Sequence, residues 1–346
     1  MTDRKIVWIL LCTLISNSAY ALIAPFLPLE FKEKGISGEM IGLMFAIYSV
    51  AVILCSPFVG KTVEMVGNTN MISLGIATMG VAFVLFGFVP QFEEVSTILT
   101  VGFILRFVQG ASSAFVQTTC YSIATNDFPD KKEQIVGWVE ALTGLGLIVG
   151  PIIGSTLYSI LGYQHTFFIY GSFLVFLSFI IKLNFPGDDN DSSSENEDEF
   201  LRSNNRLYED DLSSFRNELT PTRFDEEEVW IEPSKRVTIW KLLGKARFTM
   251  AALSSALCYF TYSFMEPILA ERLVEFNLSS MQIGFFFAIW PIFYIPASIA
   301  VQYFPKKWDK RFTIIMSALF TTVAFIFVGP SEILGFPNSL VLMGIG

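Results

Sequence analysis

Long apolar runs recur along almost the whole sequence and constrain its fold more than any other feature. Nine runs have about the 20 residues that cross ~30 Å of hydrocarbon as an α-helix. They lie at 6–29, 40–60, 71–90, 98–123, 135–161, 166–183, 248–270, 283–303 and 313–328, and a tenth begins near residue 339. With 52% hydrophobic residues and a mean hydropathy of +0.53, the composition is outside the range of soluble globular proteins. The sequence therefore predicts an all-α, multi-pass protein of the lipid bilayer.

Acidic residues are concentrated in one segment. Residues 186–234 hold 16 of the 32 acidic and only 4 of the 23 basic residues, a local charge of −12 within a total of −9. The segment has no apolar period, so we predict a disordered cytoplasmic linker at 186–240. Composition allows either a solvated connection between two helical halves or a partner-binding segment.

Basic residues outside this linker predict the orientation in the membrane. If the N-terminus is cytoplasmic, 15 Lys and Arg residues lie on the cytoplasmic side and three, Lys32, Lys34 and Arg272, on the other. Because basic residues are enriched on the cytoplasmic side, we expect a cytoplasmic N-terminus.

The sequence shows none of the common catalytic or metal-binding patterns. Its cysteines lie in apolar runs without a neighbouring histidine, and its one histidine, His165, lies at a short turn. There is no phosphate-binding glycine loop and no pairing of a nucleophile with a base. We expect no enzymatic activity, no metal, no cofactor and no nucleic-acid partner.

An internal repeat relates two parts of the chain. A shift of 242 residues aligns "PFLPLEFKEKGISGEMIGLMFAI" (25–47) with "PILAERLVEFNLSSMQIGFFFAI" (267–289), and nine of the 23 positions are identical. In each copy a helix ends at a proline, and a serine, Ser37 or Ser279, then begins the next helix. Ser279 and Gln282 have the spacing of a capping box.

The repeat predicts two six-helix halves. The first half comprises residues 1–185 and the second half residues 241–346. Repeats of this kind place a substrate site between the halves, near the middle of the membrane. Since two six-helix halves require twelve spans, we expect the chain to stop before the last three, after about nine to ten helices.

Three motifs resemble those of the major facilitator superfamily. Between the second and third runs, "GKTVEMVGNTN" resembles the loop G-x-x-x-D-R-x-G-R-x-x, with Gly60, Glu64 and Gly67 in register. Met65, Asn68 and Thr69 stand here where that loop usually has basic residues, so the resemblance does not extend to its charge-relay role. In the fourth run, "RFVQG" matches R-x-x-Q-G, and helical spacing places its members on one face: Arg106, Gln109 and Gly110.

The fifth run carries two patterns on different sides of one helix. "GLGLIVGPIIGS", which includes Pro151, resembles the glycine–proline motif of the superfamily's proton-coupled antiporters. A ladder of small residues allows another helix to approach closely: Gly146, Gly150 and Gly154. Glu140 and Gly144 point about 120° away from this ladder, toward a different environment.

Longer segments narrow the resemblance. "VEALTGLGLIVGPIIGSTLYSILGY", "YALIAPFLPLEFKEKGIS" and the pair Glu266-Pro267 are similar to the vesicular amine and polyamine transporters of solute carrier family 18, most closely the polyamine branch. This resemblance implies a monomeric, proton-coupled antiporter of a vesicle or other endomembrane. The monoamine branch has an Asp-Asn pair where this chain has Ser16 and Asn17, which favours the polyamine branch.

Three ionisable residues lie inside the apolar runs: Arg106, Glu140 and Glu266. Charges at such positions are costly and usually functional. For each, a structural alternative stays open. Arg106 could pair with Glu140 or with helix-end carbonyls, Glu140 could extend to the cytoplasmic interface, and Glu266 could be an ordinary acid at a helix end.

These charges suggest exchange of protons for a small cationic solute. A partly buried carboxylate can hold either a proton or an amine, and Asn17, Tyr20 and Tyr262 could add hydrogen bonds or cation–π contacts. We therefore expect proton-coupled antiport of organic cations, with the proton gradient as driving force. The alternatives are a facilitator or symporter of another solute, and a transport-inactive sensor or scaffold.

Overall fold

A computed structural model provides the coordinates of the chain. It describes residues 2–186 and 276–300, with shorter pieces at 249–250, 252–254, 266, 268–270, 272–274, 315–316, 319–320 and 322–323. Two compact units are distinguished, one of residues 1–186 with 262–346 and one of residues 187–261. In the second unit the described pieces, 249–250 and 252–254, are helical. The predicted linker lies outside the described residues from position 187 onward.

Helices account for nearly all of the described residues of the first unit, and these residues contain no strand. The helices are α1 (Thr2–Leu22), α2 (Leu27–Glu33), α3 (Gly38–Val66), α4 (Asn68–Phe86), α5 (Val95–Asn126), α6 (Lys132–Asn184), α7 (Ser280–Phe287) and α8 (Ile289–Ala300). Six helical stretches among the described residues are long and apolar enough to cross a membrane. The predicted all-α fold is confirmed.

Gly162 divides α6 into the two spans that the sequence predicts. Its φ of 77° and ψ of 179° lie outside the helical region, in a conformation that glycine adopts easily. Gly154, before this break, lies against Leu22, and Tyr170, after it, donates a hydrogen bond to Ser18 at 3.1 Å. Both sides of the break thus contact the same part of α1, which shows that the chain reverses at Gly162.

The structure corrects the predicted end of the second span. α3 continues through Val66, six residues beyond the expected end at residue 60, so Gly60 and Glu64 lie on a helix and not in a loop. Gly67, with φ 85° and ψ 150°, alone separates α3 from α4. Glycine adopts this backbone conformation easily, so the chain can turn sharply at Gly67. The apolar run ends before the helix does because Lys61 and Glu64 are charged.

The repeat copies share the serine position but differ in capping. Ser279 accepts a hydrogen bond from the Gln282 backbone N–H at 3.4 Å, and the Gln282 side chain accepts from the Ser279 backbone N–H at 2.9 Å. The predicted capping box is therefore present. Ser37 occupies the same position before α3 without a side-chain bond, and three residues later the first copy has Met40 in place of glutamine.

The glycine ladder brings α1 onto α6. A Cβ atom added at Gly150 would lie 2.5 Å from the Ser18 carbonyl oxygen, and one at Gly154 would lie 2.1 Å from the Leu22 carbonyl oxygen. These distances are shorter than any normal contact, so only glycine permits this backbone approach. α6 thereby holds α1, and with it Asn17 and Tyr20, in a fixed position.

We expect Gly154→Ala to destabilise the protein by about 1–3 kcal/mol, because the added methyl group meets backbone that cannot rotate away. Gly42→Ala is the matched control, since no described residue lies within 4 Å of a Cβ added there. Thermal unfolding in detergent measures both. Equal unfolding temperatures for the two variants would contradict the packing of α1 on the ladder.

Candidate functional site

Glu266 is buried and bound to a tyrosine of the first half. Its exposure is 2%, and its Oε2 atom accepts a hydrogen bond from the Tyr20 hydroxyl at 2.7 Å. Tyr20 lies near the end of α1, whereas Glu266 belongs to the second half. The bond therefore joins the two halves, and its burial distinguishes Glu266 from a solvent-exposed acid at a helix end.

Aromatic rings connect this carboxylate to Arg106. The ring centroids of Tyr20 and Tyr48 are 4.8 Å apart at an interplanar angle of 42°. The Arg106 guanidinium carbon lies 4.9 Å from the centroid of Tyr48 and 5.3 Å from that of Phe45. A cation over aromatic faces is stabilised by their quadrupoles, most strongly when water is excluded.

Arg106 is fully buried and is held by neutral groups. Its Nη1 donates to Gln109 Oε1 at 3.0 Å, and its Nε donates to the Met44 carbonyl oxygen at 3.3 Å. In the described part of the chain no carboxylate lies within salt-bridge distance of it, so the pairing with Glu140 is not observed. Glu266 nevertheless lies within electrostatic range of the guanidinium.

A glycine sets the position of the aromatic groups on Arg106. A Cβ atom added at Gly110 would lie 2.2 Å from the Tyr48 carbonyl oxygen, so α5 approaches the backbone of α3 directly. Arg106, Gln109 and Gly110 are all buried on the face that meets α3. The R-x-x-Q-G pattern thus places a cation, an amide and a small residue on one face, as predicted.

Asn17 belongs to a second polar contact between α1 and α6. Its Nδ2 donates to the Thr13 carbonyl oxygen at 2.9 Å and to Thr143 Oγ1 at 3.3 Å. Ser16 is fully buried, and its hydroxyl lies 3.2 Å from that of Ser113 on α5. The residue at the position of the monoamine-branch aspartate therefore packs between helices.

Glu140 lies in a separate group. Its Oε1 accepts a hydrogen bond from the Tyr121 hydroxyl at 2.5 Å, and its Oε2 accepts one from the Tyr294 hydroxyl at 2.6 Å. A Cβ atom added at Gly144, one turn later, would lie 2.7 Å from the Tyr294 ring. Gly144 thus faces α8, on a different side of α6 from the glycine ladder that packs against α1, and the Glu140 carboxylate is directed toward two tyrosines.

The remaining predicted residues have varied surroundings. Pro151 is buried in α6, and its carbonyl oxygen accepts a bond from Ser155 at 2.6 Å where Gly284 of α7 packs. Gly60 is exposed, and no described residue lies within 4 Å of a Cβ added there. Tyr262 lies outside the described residues, as does the side chain of Glu64.

Sequence reasoning missed Tyr48, Tyr121 and Tyr294. The chain has 11 tyrosines, and uncharged tyrosines in apolar runs carry no signal that separates a packing role from a polar contact. Their proximity to Arg106 and Glu140 depends on how α3, α5 and α8 pack. The tyrosines near each of these charges can be identified only when that packing is known.

Comparison with known proteins decides the family. A profile of the Major Facilitator Superfamily matches residues 9–346. The chain belongs to the Major Facilitator Superfamily. Members of this superfamily are transporters rather than enzymes, and the chain is accordingly a multi-pass membrane protein.

Individual members of the superfamily are similar over different lengths. The chain is 27% identical to MFS-type transporter SLC18B1 of Mus musculus over 327 residues, which are 94% of this chain and 62% of that protein. It is 25% identical to SLC18B1 of Homo sapiens over 342 residues, covering 95% and 63%. Multidrug resistance protein MdtG of Proteus mirabilis is 29% identical over 179 residues, covering 50% and 42%. The chain therefore spans about three fifths of the length of the SLC18B1 proteins.

Tyr20→Phe removes the hydroxyl that Glu266 accepts. Because a hydrogen bond to a charged group contributes about 1.5–3 kcal/mol, we expect a loss of that size in unfolding free energy near neutral pH. This loss of unfolding free energy should become smaller in acid, because a protonated Glu266 carboxyl forms a weaker hydrogen bond with the Tyr20 hydroxyl. Thermal unfolding in detergent across pH measures this dependence.

Tyr170→Phe is the matched control, since its hydroxyl donates to the neutral Ser18 hydroxyl at 3.1 Å. We expect a smaller loss, about 0.5–1.5 kcal/mol, that does not change with pH. The same pH dependence in both variants would contradict an ionised Glu266 bound to Tyr20.

Proposed function

We propose that this protein is a secondary transporter that exchanges protons for organic cations, with polyamines as the first candidates. The observation that supports this most directly is the Glu266 carboxylate, which is 2% exposed and bound by Tyr20 across the two halves. Ionisable groups buried in membrane proteins mark the paths of ions and substrates. Alternating access moves such a site between the two sides of the membrane.

Glu266 is proposed to hold a proton and a cation in turn. The ionised carboxylate binds the ammonium group of a substrate from the cytoplasm. After the halves rock, a proton from the acidic lumen neutralises the carboxylate. The substrate then loses its counter-charge and is repelled by Arg106, which lies within electrostatic range and has no carboxylate at salt-bridge distance among the described residues.

Aromatic and polar groups around Glu266 suit an organic cation. Tyr20 and Tyr48 form a tilted pair of rings beside the carboxylate, and such faces attract ammonium groups. Asn17 lies one turn before Tyr20 and is 7% exposed. We assign binding roles to Tyr20, Asn17 and Tyr262, the repeat partner of Tyr20, as part of the same proposal.

One residue that differs from the monoamine branch supports the proposed substrate class. Ser16 replaces the aspartate of that branch and bonds Ser113, which favours a polyamine over a monoamine. We propose a vesicle or other endomembrane as the location, because the carboxylate is proposed to bind the cation from the cytoplasm and the proton from an acidic lumen. We also propose a monomer with a cytoplasmic N-terminus.

Uptake of radiolabelled spermidine into proteoliposomes with an acidic interior tests the proposal on the full chain. We expect uptake that collapses with the proton gradient. Glu266→Gln should lower it by about tenfold or more, the factor that corresponds to ~1.4 kcal/mol of lost interaction. Glu140→Gln should also impair it.

Glu133→Gln is the control, since Glu133 is an exposed acid on the same helix as Glu140. Its uptake should match that of the unaltered protein. Normal uptake with both Glu140 and Glu266 neutralised would rule out the carboxylate mechanism. Uptake that ignores the gradient would support a facilitator, and a folded protein that takes up no cation would support a sensor or scaffold.

A further inference from the structure

The glycine ladder fixes the depth of Tyr20 relative to α6. A Cβ atom added at Gly150 would lie 2.5 Å from the Ser18 carbonyl oxygen and 3.1 Å from the Leu22 backbone nitrogen. Gly150 is therefore level with the middle of the turn between these two residues. Tyr20 lies at that middle position, so Tyr20 and Gly150 are at the same depth.

The two carboxylates of the apolar runs are separated along this direction. Glu140 lies ten residues before Gly150, and a helix rises about 1.5 Å per residue, so Glu140 is about 15 Å from the level of Tyr20. α1 and α6 run in the same direction, and the side chains of both tilt toward the helix start, which preserves this separation. Because the Tyr20 hydroxyl donates to Glu266 at 2.7 Å, about 15 Å also separates the two carboxylates along the helices.

Four side chains lie between these depths, and we call them the connecting face: Asn17 and Tyr20 of α1, and Thr143 and Leu147 of α6. Thr143 and Leu147 follow Glu140 at three and seven residues, spacings that keep them on its side of the helix. Asn17 Nδ2 donates to Thr143 Oγ1 at 3.3 Å. Leu147 packs with Tyr20 and Tyr48 in one buried cluster. The connecting face therefore leads from Glu140 to Tyr20, the partner of Glu266.

The connecting face combines the chemistry that a linear polyamine requires. The oxygen atoms of Asn17 and Thr143 accept hydrogen bonds from ammonium groups, and the tyrosine rings attract such groups through their faces. Leu147 offers apolar surface to the methylene groups between the nitrogens. An extended chain of carbon and nitrogen advances about 1.25 Å per bond, so spermine spans about 16 Å between its terminal nitrogens and putrescine only about 6 Å. The longer molecule matches the separation of the carboxylates.

Glu140 supplies a negative charge that the other end of the face lacks. Glu266 lies within electrostatic range of the Arg106 guanidinium, so its charge is partly offset by the protein's own cation. Glu140 is held by Tyr121 at 2.5 Å and by Tyr294 at 2.6 Å. A carboxylate has about four lone-pair positions on its two oxygens, so these contacts leave room for an ammonium group. Both ends of the face can thus bind a cation.

We propose that Glu140 and Glu266 bind the two terminal ammonium groups of one extended linear polyamine, so that the distance between the carboxylates selects the length of the substrate. This selection rests on the function proposed above. A substrate of about 16 Å reaches both carboxylates at once, whereas one of about 6 Å reaches a single carboxylate. The second contact is then intramolecular, which strengthens binding of the long substrate only.

Two diamines of equal charge and different length test the selection. Putrescine has a four-carbon chain, and the unbranched diamine with a twelve-carbon chain spans about 16 Å, as spermine does. Calorimetric titration of the purified full chain at one neutral pH, without a gradient, measures the affinity of each diamine. For each diamine the affinity for Glu140→Gln is divided by that for the unaltered protein, so that the apolar contribution of the longer chain cancels.

We expect Glu140→Gln to weaken binding of the long diamine about tenfold or more, the factor that a hydrogen bond to a charged group contributes. Putrescine should lose about twofold at most, because Glu266 remains available to it. Glu133→Gln is the matched control, since it removes an exposed acid of the same helix and should leave both affinities unchanged. Equal losses for the two diamines, or no loss for the long one, would overturn the proposal.

Binding of putrescine also reports whether Glu140→Gln is folded. If this variant does not fold, spermine and spermine acetylated at one end are compared on the unaltered protein. Acetylation removes one terminal charge, so the acetylated form should bind about tenfold more weakly. Equal affinities of the two would overturn the proposal.

The same measurements separate length selection from the proposed function. An unaltered protein that takes up putrescine with the proton gradient, but whose Glu140→Gln variant weakens both diamines equally, retains the proposed function and overturns the selection. An unaltered protein that binds neither diamine nor spermine overturns both.

Discussion

A carboxylate removed from water needs hydrogen-bond donors from the protein, and in this chain both carboxylates of the apolar runs take one from the opposite half. Glu266 of the second half accepts from Tyr20, and Glu140 of the first half accepts from Tyr294. Each bond therefore ties a carboxylate that lies within an apolar run to a helix of the other half.

The glycine pattern of α6 explains how one helix serves both contacts. Its ladder faces α1 and fixes Tyr20, while Gly144, on another side, allows α8 to bring Tyr294 within 2.6 Å of Glu140. Small residues matter here because helices in lipid associate through close packing and not through the hydrophobic effect. The buried cation follows the same logic, since Gly110 lets α3 place Tyr48 over Arg106 at 4.9 Å.

Features that depend on local spacing could be predicted from the sequence. The apolar runs, the glycine ladder, the shared face of Arg106 and Gln109, and the different surroundings of Glu140 all follow from helical periodicity. The predicted end of α3 was wrong, because the hydropathy of the sequence falls at Lys61 whereas the helix continues to Val66. Tyr20 was among the predicted site residues, but its bond to Glu266, 246 positions away, could not be predicted, nor could that of Tyr294 to Glu140, 154 positions away. Such contacts depend on tertiary packing, which a single sequence does not specify.

The central claim is that a buried carboxylate releases a proton when a cation binds. Calorimetric titration of the purified chain with spermidine, in buffers that differ in ionisation enthalpy, counts the protons released per cation bound. The account predicts release of up to about one proton per cation in acid, where the carboxylate is protonated before the cation binds, less release toward neutral pH, and loss of this release in Glu266→Gln. Cation binding that releases no proton at any pH would contradict it.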